Sequence, residues 1–292
     1  MEASFVPLQT DVAARNRIVV SLFYIRLVYS SFQLLKKYMR YYATASNGNG
    51  HGMHSPFVFD FILHVLNNKR GYTPPPAIKA VRKKLLRDNT LLLIEDLGAG
   101  SRVQTASQKT VRQIARTAVK GEKYGKLLYR VVRHYNPKTI IELGTSLGIS
   151  TAYMAAANKE ATIYTIEGSP VIQQRAAANF KELQLPLIKS LLGAFDSVLP
   201  QVLDAVSQID LAYVDGNHRL QPTLRYFEQL LQKRTADSIF IFDDIHWSKE
   251  MEEAWRVIQQ HPDVTCSIDL FFLGFVFFRP GFKAKQHFCI RF

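Results

Sequence analysis

The sequence has few of the features that mark secreted or disulfide-stabilised proteins. Two of its 292 residues are cysteines, Cys266 and Cys289, and two cysteines cannot form a disulfide framework. The N-terminal segment does not combine a short apolar run with a small-residue cleavage site, as a secretory signal would. We therefore expect a protein of the reducing cytoplasm.

Long uncharged apolar runs are also missing. The apolar segment at residues 18–35 carries Arg26 in its middle, whereas a membrane-spanning helix needs about 20 apolar residues with few or no charges. The segment and the three cations that follow it predict an amphipathic helix. Such a helix could pack on the core, pair with a second subunit, or contact a membrane surface through residues 16–40.

Acidic residues are scarce in the first half of the chain. Residues 1–138 contain 23 Lys and Arg against 7 Asp and Glu, a net charge of +16, whereas residues 139–292 contain 14 and 17, a net charge of −3. A basic surface suits nucleic acid, an anionic membrane or an acidic partner, and it also arises from solvated helix faces. We divide the chain into an N-terminal amphipathic helical extension (1–45), a basic helical region (46–136) and a C-terminal domain (137–292).

The C-terminal part of the chain alternates between strands and helices. The pattern predicts five strand–helix pairs between residues 139 and 260, and then two strands, at 264–269 and 271–278, that are joined without a helix. Alternation at this spacing is typical of a parallel sheet with helices on both faces. The final pair of strands predicts an antiparallel edge. Residues 103–136, before the sheet, are predicted to form one or two basic helices.

A glycine turn follows the first of these strands. Residues 140–151 read IIELGTSLGIST, so the strand contains Glu142 and leads into a turn with Gly144 and Gly148. Neither glycine carries a Cβ, which lets a ligand approach the backbone closely. In open parallel sheets, ligands bind beyond the carboxyl ends of the strands. An ordinary tight turn between a strand and a helix would explain the same glycines.

A second acidic residue, Glu167, favours the ligand-binding interpretation. It ends the next strand, about 25 residues after Glu142, where a carboxylate can accept hydrogen bonds from both hydroxyls of a ribose. Another glycine-rich stretch, residues 95–101 (EDLGAGS), is not followed at the right distance by a strand that ends in an acid. We therefore place the candidate site at Gly144 and leave the role of the 98–101 loop open.

Two further strands, in the segments LAYVDGNH and IFIFDDIHW, end in carboxylates and histidines. They place five side chains at the same edge of the sheet: Asp215, His218, Asp243, Asp244 and His246. Carboxylates gathered at one edge would repel one another unless a cation lay between them, and oxygen ligands suit Mg²⁺ or Mn²⁺. Alternatively, one of the two adjacent aspartates could cap the helix that follows.

Together these motifs resemble those of class I S-adenosylmethionine-dependent methyltransferases. Within that group, residues 138–247 are similar to the family typified by macrocin O-methyltransferase and cephalosporin hydroxylase-like proteins. The whole chain resembles bacterial methyltransferase-like proteins. The resemblance implies a Rossmann-like α/β fold, with a mostly parallel seven-stranded sheet, an antiparallel last strand and an N-terminal helical extension.

The resemblance also implies a set of site residues. Those implied to bind S-adenosylmethionine are Glu142, Gly144, Thr145, Ser146, Gly148, Ser150, Thr151, Glu167, Gly168, Ser169, Phe195 and Asp215. The implied ligands of Mg²⁺ are Asp215, Asp243 and Asp244, and His218 is the implied general base, acting with Asp215. Phe195 stands near the position of an aspartate that often reaches adenine in the family, so we expect its ring to stack on adenine.

We expect a methyltransferase that acts on a hydroxyl of a small molecule and forms a homodimer. Two other readings stay open at this point. The basic first half could dock RNA or a protein as the methyl acceptor. The domain could also have lost its chemistry and serve as an inactive binding module.

Overall fold

The protein is built around one large sheet with helices on both faces. The computed structural model describes residues 28–48, 50, 54–68, 71–95, 106–117, 121–282 and 284–292. Within these ranges, no helix combines the length and the apolar character that crossing a membrane requires.

The first described helix, α1, covers Ser31–Thr44. The first ten residues of the predicted amphipathic helix, residues 18–27, lie outside the described residues. Ser30 begins α1 with a capping box, in which its side chain and that of the third helical residue each accept a backbone N–H. Near the other end, the buried Tyr41 donates a hydrogen bond to the carbonyl of Ile290. The helix is thus attached to the last residues of the chain.

The segment before the large sheet contains helices, as predicted, but also two strands. Its elements are α2 (Pro56–Asp60, continued by a π-helical turn at Phe61–Leu66), α3 (Pro76–Leu85), β1 (Leu91–Glu95), β2 (Ala106–Thr110), α4 (Val111–Thr117) and α5 (Glu122–Tyr135). The prediction of helix from residue 103 is wrong at β2, a polar stretch without an apolar helical face. β2 instead satisfies its backbone by pairing antiparallel with β1. Residues 96–105, including the 98–101 loop, lie outside the described residues.

The C-terminal part has the predicted α/β alternation. Its elements are β3 (Thr139–Leu143), α6 (Ile149–Ala157), β4 (Thr162–Glu167), α7 (Pro170–Glu182), β5 (Ile188–Leu192), α8 (Phe195–Ala205), β6 (Ile209–Val214), α9 (Leu220–Leu231), β7 (Arg234–Asp243), α10 (Lys249–Gln260), β8 (Cys266–Asp269), β9 (Leu273–Phe277) and β10 (Gln286–Cys289). The described strands lie in the order β10-β8-β9-β7-β6-β3-β4-β5. β9 is antiparallel to both neighbours, as predicted for the last of seven strands. An eighth strand, β10, pairs parallel with β8 and extends that edge.

Alternate side chains of the central strands enter two different cores. Ile140 and Leu211 belong to the core that α5 and α6 cover, whereas Ile141 and Ala212 belong to the core that α8 and α9 cover. Because both faces of the sheet are buried, a ligand can reach the strands at their ends. The strand order reverses between β3 and β6, and such a switch point opens a crevice at the carboxyl ends of the strands.

Candidate functional site

The bend after β3 has two positions where the backbone requires glycine. Gly144 has a φ of +103°, and a Cβ there would lie 2.0 Å from the carbonyl oxygen of Asp215. Gly148 has a φ of +76°, and its Cβ would lie 2.4 Å from the ring of Phe180. The Gly144 N–H donates to the carbonyl of Ile166, 3.1 Å away. The bend is therefore held tightly between the ends of β4 and β6, at the switch point.

Glu142 lies beneath this bend with no exposed surface. One carboxylate oxygen accepts the hydroxyl of Ser150 at 2.6 Å, and the other accepts the hydroxyls of Thr151 and Thr165. Burial raises the pKa of Glu142 to about 7, although the three hydroxyl donors work against that rise. The carboxyl group joins β3, β4 and the start of α6.

Three of the residues predicted to contact the cofactor, Glu142, Thr145 and Thr151, are buried, with exposures of at most 1%. Their contact with a cofactor stays a prediction. The Thr145 hydroxyl lies 2.6 Å from that of Thr165, which in turn donates to Glu142. In this structure the three residues position the bend from inside the protein.

Glu167 is placed as the sequence predicts, at the end of β4 and beside the bend. Its carboxylate accepts the backbone N–H of Ser146 at 2.9 Å and that of Ser169 at 3.0 Å. Burial raises the pKa of Glu167, and backbone N–H donors oppose the rise. Unlike Glu142, Glu167 is only half-buried, so its carboxylate can meet a ligand. Three further predicted contacts here are also partly exposed: Ser146, Ser150 and Gly168.

Asp215 and His218 follow β6 at the same edge. The Asp215 N–H donates to the carbonyl of Leu143 at 2.8 Å, which keeps it beside the glycine bend. Its carboxylate accepts the hydroxyl of the buried Tyr213 at 3.1 Å. The Nε2 atom of His218 lies 3.7 Å from the other carboxylate oxygen of Asp215. Both predicted catalytic side chains therefore meet, and both are partly exposed.

Phe195 begins α8 and lies across the turn after β6. Its ring packs edge-on against Tyr226, with 5.7 Å between the ring centroids. A Cβ on Gly216 would lie 2.7 Å from the Phe195 ring, so the ring covers the residue that follows Asp215. The predicted stacking on adenine stays a prediction.

The end of β7 carries the two adjacent aspartates. Asp243 is 1% exposed. Asp244 has a φ of +52°, and its N–H donates to the carbonyl of Phe272 at 2.8 Å. The suggestion that one of them caps the next helix is wrong, because Ser248 caps α10 by accepting the N–H of Met251 at 3.1 Å.

Among the residues that the structure describes, no group of three or more His, Cys, Asp or Glu could hold a metal ion. Mg²⁺ binding by Asp215, Asp243 and Asp244 stays a prediction, and we derive no reaction step through a metal.

A charged network next to the site was not predicted from the sequence. The His246 ring lies between Glu252, 3.1 Å from Nδ1, and Asp269, 2.8 Å from Nε2. Burial disfavours charge on His246, but the hydrogen bonds to these carboxylates outweigh it and raise its pKa to about 9. Lys37 of α1 lies 2.9 Å from Glu252. Lys37 and Glu252 are 215 residues apart in the sequence, so no local pattern could have joined these two.

Comparisons with known proteins agree with this geometry. Residues 141–245, which contain the glycine bend, Glu167, Asp215 and Asp243, match the family model described as a methyltransferase domain. The fold is similar to that of the O-methyltransferase TomG from Streptomyces achromogenes, in complex with SAM, with a TM-score of 0.53 and 17% identity over 75% of this chain and 96% of that one. It is also similar to the SAH-bound methyltransferase PaMTH1 from Podospora anserina, with a TM-score of 0.55 and 12% identity over 96% and 100%.

Proposed function

We propose that this protein transfers the methyl group of S-adenosylmethionine to a hydroxyl group of a small molecule, because residues 141–245 match the family model of a methyltransferase domain. The observation that carries the proposal is the half-buried carboxylate of Glu167 beside the tight bend at Gly144. A likeness in fold to an O-methyltransferase supports oxygen as the acceptor atom.

The proposed cofactor crevice uses hydrogen-bonding capacity that Glu167 still has. A carboxylate has about four acceptor positions. The N–H groups of Ser146 and Ser169 occupy two of them, and the N–H of Gly168 also stabilises the charge. The remaining capacity can accept a hydroxyl of a ribose. The lack of a Cβ at Gly144 lets the amino-acid end of the same ligand approach the backbone.

The protein's part in the reaction is alignment and removal of a proton. The cofactor supplies an electrophilic methyl group on a sulfonium, and displacement there requires the acceptor oxygen to lie in line with the breaking bond. We assign proton removal to His218, since imidazole accepts protons near neutral pH. Asp215 would orient the His218 ring and stabilise its charge once it is protonated.

Glu167→Gln tests the cofactor site. We expect about ten- to a hundred-fold weaker binding of S-adenosylhomocysteine, because a hydrogen bond to a charged group contributes about 1.5–3 kcal/mol. Isothermal titration calorimetry measures the affinity. Glu182→Gln, at an exposed position of α7, is the matched control and should bind like the wild type. Wild-type affinity in Glu167→Gln would rule out the ribose contact, and absence of binding to the wild type would favour the inactive module.

His218→Ala tests the proposed base. After a panel of phenols and alcohols has identified an acceptor, turnover should fall about 10²–10⁴-fold, while the affinity for S-adenosylhomocysteine stays unchanged. His261→Ala, beyond the far end of α10, is the control. Full turnover by His218→Ala would remove the residue from the mechanism.

The Mg²⁺ site stays a prediction, and activity that is insensitive to EDTA would contradict it.

Several finer expectations also stay predictions. They concern the homodimer, the cytoplasmic location, a membrane contact through residues 16–40, and RNA or protein as the acceptor. The division of the chain at residues 45 and 136 is likewise a proposal.

A further inference from the structure

A cavity of about 550 Å³ lies between α1, α5 and the last residues of the chain. Cationic side chains form much of its wall: Lys123, Lys126, Arg130 and Arg291. Aromatic rings form another part: Tyr42, Tyr72 and Phe292. None of these residues belongs to the candidate cofactor crevice.

Arg130 is the unusual member of this group because it is 4% exposed. Its guanidinium donates to the carbonyls of Val65 and Leu66, at the end of the π-helical turn. Burial alone lowers the pKa of Arg130 to about 10, and no described carboxylate acts on it. A buried charge is costly unless an opposite charge compensates it. Two carbonyl dipoles leave most of the five guanidinium donors unused.

The other cations keep the cavity positive. Arg291 donates to the carbonyl of Ala45 at 3.1 Å. Lys126 lies 2.7 Å from Glu122, which neutralises one charge. The described residues that line the cavity include four cationic side chains and no acidic side chain, so an anion would be attracted into it.

The aromatic rings lie close to the cations. The ammonium of Lys123 is 4.1 Å from the centroid of the Phe292 ring, and the guanidinium of Arg291 is 5.2 Å from that of Tyr42. A flat ligand ring can stack on such aromatic surfaces while its acidic group reaches the cations.

The cavity opens near the same edge of the sheet as the candidate site. β10 runs parallel to β8, so residues 290–292 leave the sheet at its carboxyl edge. The ring of Tyr124 contacts both Phe292 and Phe272, with centroids 5.8 Å apart in each case. The carbonyl of Phe272 in turn accepts the N–H of Asp244.

We propose that this cavity binds a small ligand that combines a flat ring with a carboxylate or phosphate group. The acidic group lies at Arg130 and Lys126, and the ring lies against the aromatic wall. Arginine suits this role because its planar fork matches the two oxygens of either acid. The inference does not depend on methyl transfer.

Calorimetry on the full chain tests the proposal, with benzoate, phenyl phosphate, inorganic phosphate and phenol as probes. We expect an aromatic anion to bind, neutral phenol to bind at least about ten-fold more weakly, and affinity to fall as salt rises. Whichever of benzoate and phenyl phosphate binds more tightly identifies the acidic group that the cavity prefers. The affinity for inorganic phosphate, compared with that for phenyl phosphate, measures the contribution of the ring. Equal affinity for phenol and the aromatic anions, or no binding of either anion, would overturn the proposal.

Substitutions locate the binding. Arg130→Met should weaken the binding of the aromatic anion about ten-fold or more. Since a buried substitution can prevent folding, Lys126→Met is the second variant, and it should weaken binding several-fold. Lys181→Met, on the exposed part of α7, should change nothing, and S-adenosylhomocysteine should bind all folded variants equally. Wild-type affinity for the anion in Lys126→Met and in folded Arg130→Met would overturn the assignment to this cavity.

Discussion

Gly144→Ala is expected to destroy the binding of S-adenosylhomocysteine and to destabilise the fold strongly. The added Cβ would lie 2.0 Å from the carbonyl oxygen of Asp215. This overlap cannot be relieved by a side-chain rotation, because the oxygen belongs to the backbone and the backbone at the ends of two paired strands fixes the Cβ. A φ of +103° adds strain for any residue with a side chain. Strain of this kind costs about 1–3 kcal/mol and overpacking costs about as much again. We therefore expect a loss of about 2–6 kcal/mol in the free energy of unfolding.

Urea unfolding and calorimetry with S-adenosylhomocysteine measure the two effects of Gly144→Ala. Gly281→Ala is a matched control, because Gly281 also has a positive φ, +124°, but an added Cβ there meets nothing within 4 Å. The control isolates backbone strain from overlap, so it should lose less stability and keep its affinity. If Gly144→Ala were as stable as Gly281→Ala, the close approach of the bend to β6 would be contradicted.

Glu142→Gln is expected to make the protein more stable above neutral pH. Burial raises the pKa of Glu142 from 4.5 to about 7 in the folded protein. The folded chain therefore keeps this proton up to about pH 7, whereas the unfolded chain releases it near 4.5. The stabilisation that the protonated Glu142 gives the folded protein is fully present below pH 4.5 and is lost as pH rises through 7. The difference between a pKa of 4.5 in the unfolded chain and about 7 in the folded chain corresponds to about 3 kcal/mol in the free energy of unfolding.

The test of Glu142→Gln is thermal or urea unfolding between pH 4.5 and 8.5. The variant should lose less stability than the wild type as pH rises, and it should exceed the wild type at pH 8. The side-chain amide of the variant can still form hydrogen bonds with the surrounding hydroxyls, since a hydroxyl can either donate or accept. Glu228→Gln, on the exposed surface of α9, is the control. Parallel pH profiles for Glu142→Gln and the wild type would contradict a buried, proton-holding carboxyl group.

Local sequence patterns were enough to predict the central sheet and the position of the bend. All five predicted strand–helix pairs are present, from the strand at Thr139–Leu143 to the helix at Lys249–Gln260. Each combines apolar periodicity with a clear boundary, and both signals lie within a few residues. The placement of Glu167 beside the Gly144 bend followed because parallel strands bring their carboxyl ends to one edge.

The features that sequence reasoning missed depend on contacts between distant parts of the chain. The pattern around Glu142 does not show its burial, because the hydroxyls that surround its carboxylate come from α6 and β4. Arg130 lies on a basic helix, and nothing in that helix shows that the side chain is buried against the π-helical turn. β2 has no apolar pattern of its own and forms a strand because β1 pairs with it.

A crystal structure with S-adenosylhomocysteine is the most direct test of the central claim, that a nucleoside cofactor binds where β3 and β4 end. We predict that both ribose hydroxyls lie within hydrogen-bonding distance of the Glu167 carboxylate, with the amino-acid end of the ligand against Gly144. A nucleoside bound elsewhere, with side chains filling the space beside Gly144 and Glu167 directed away from it, would contradict the account.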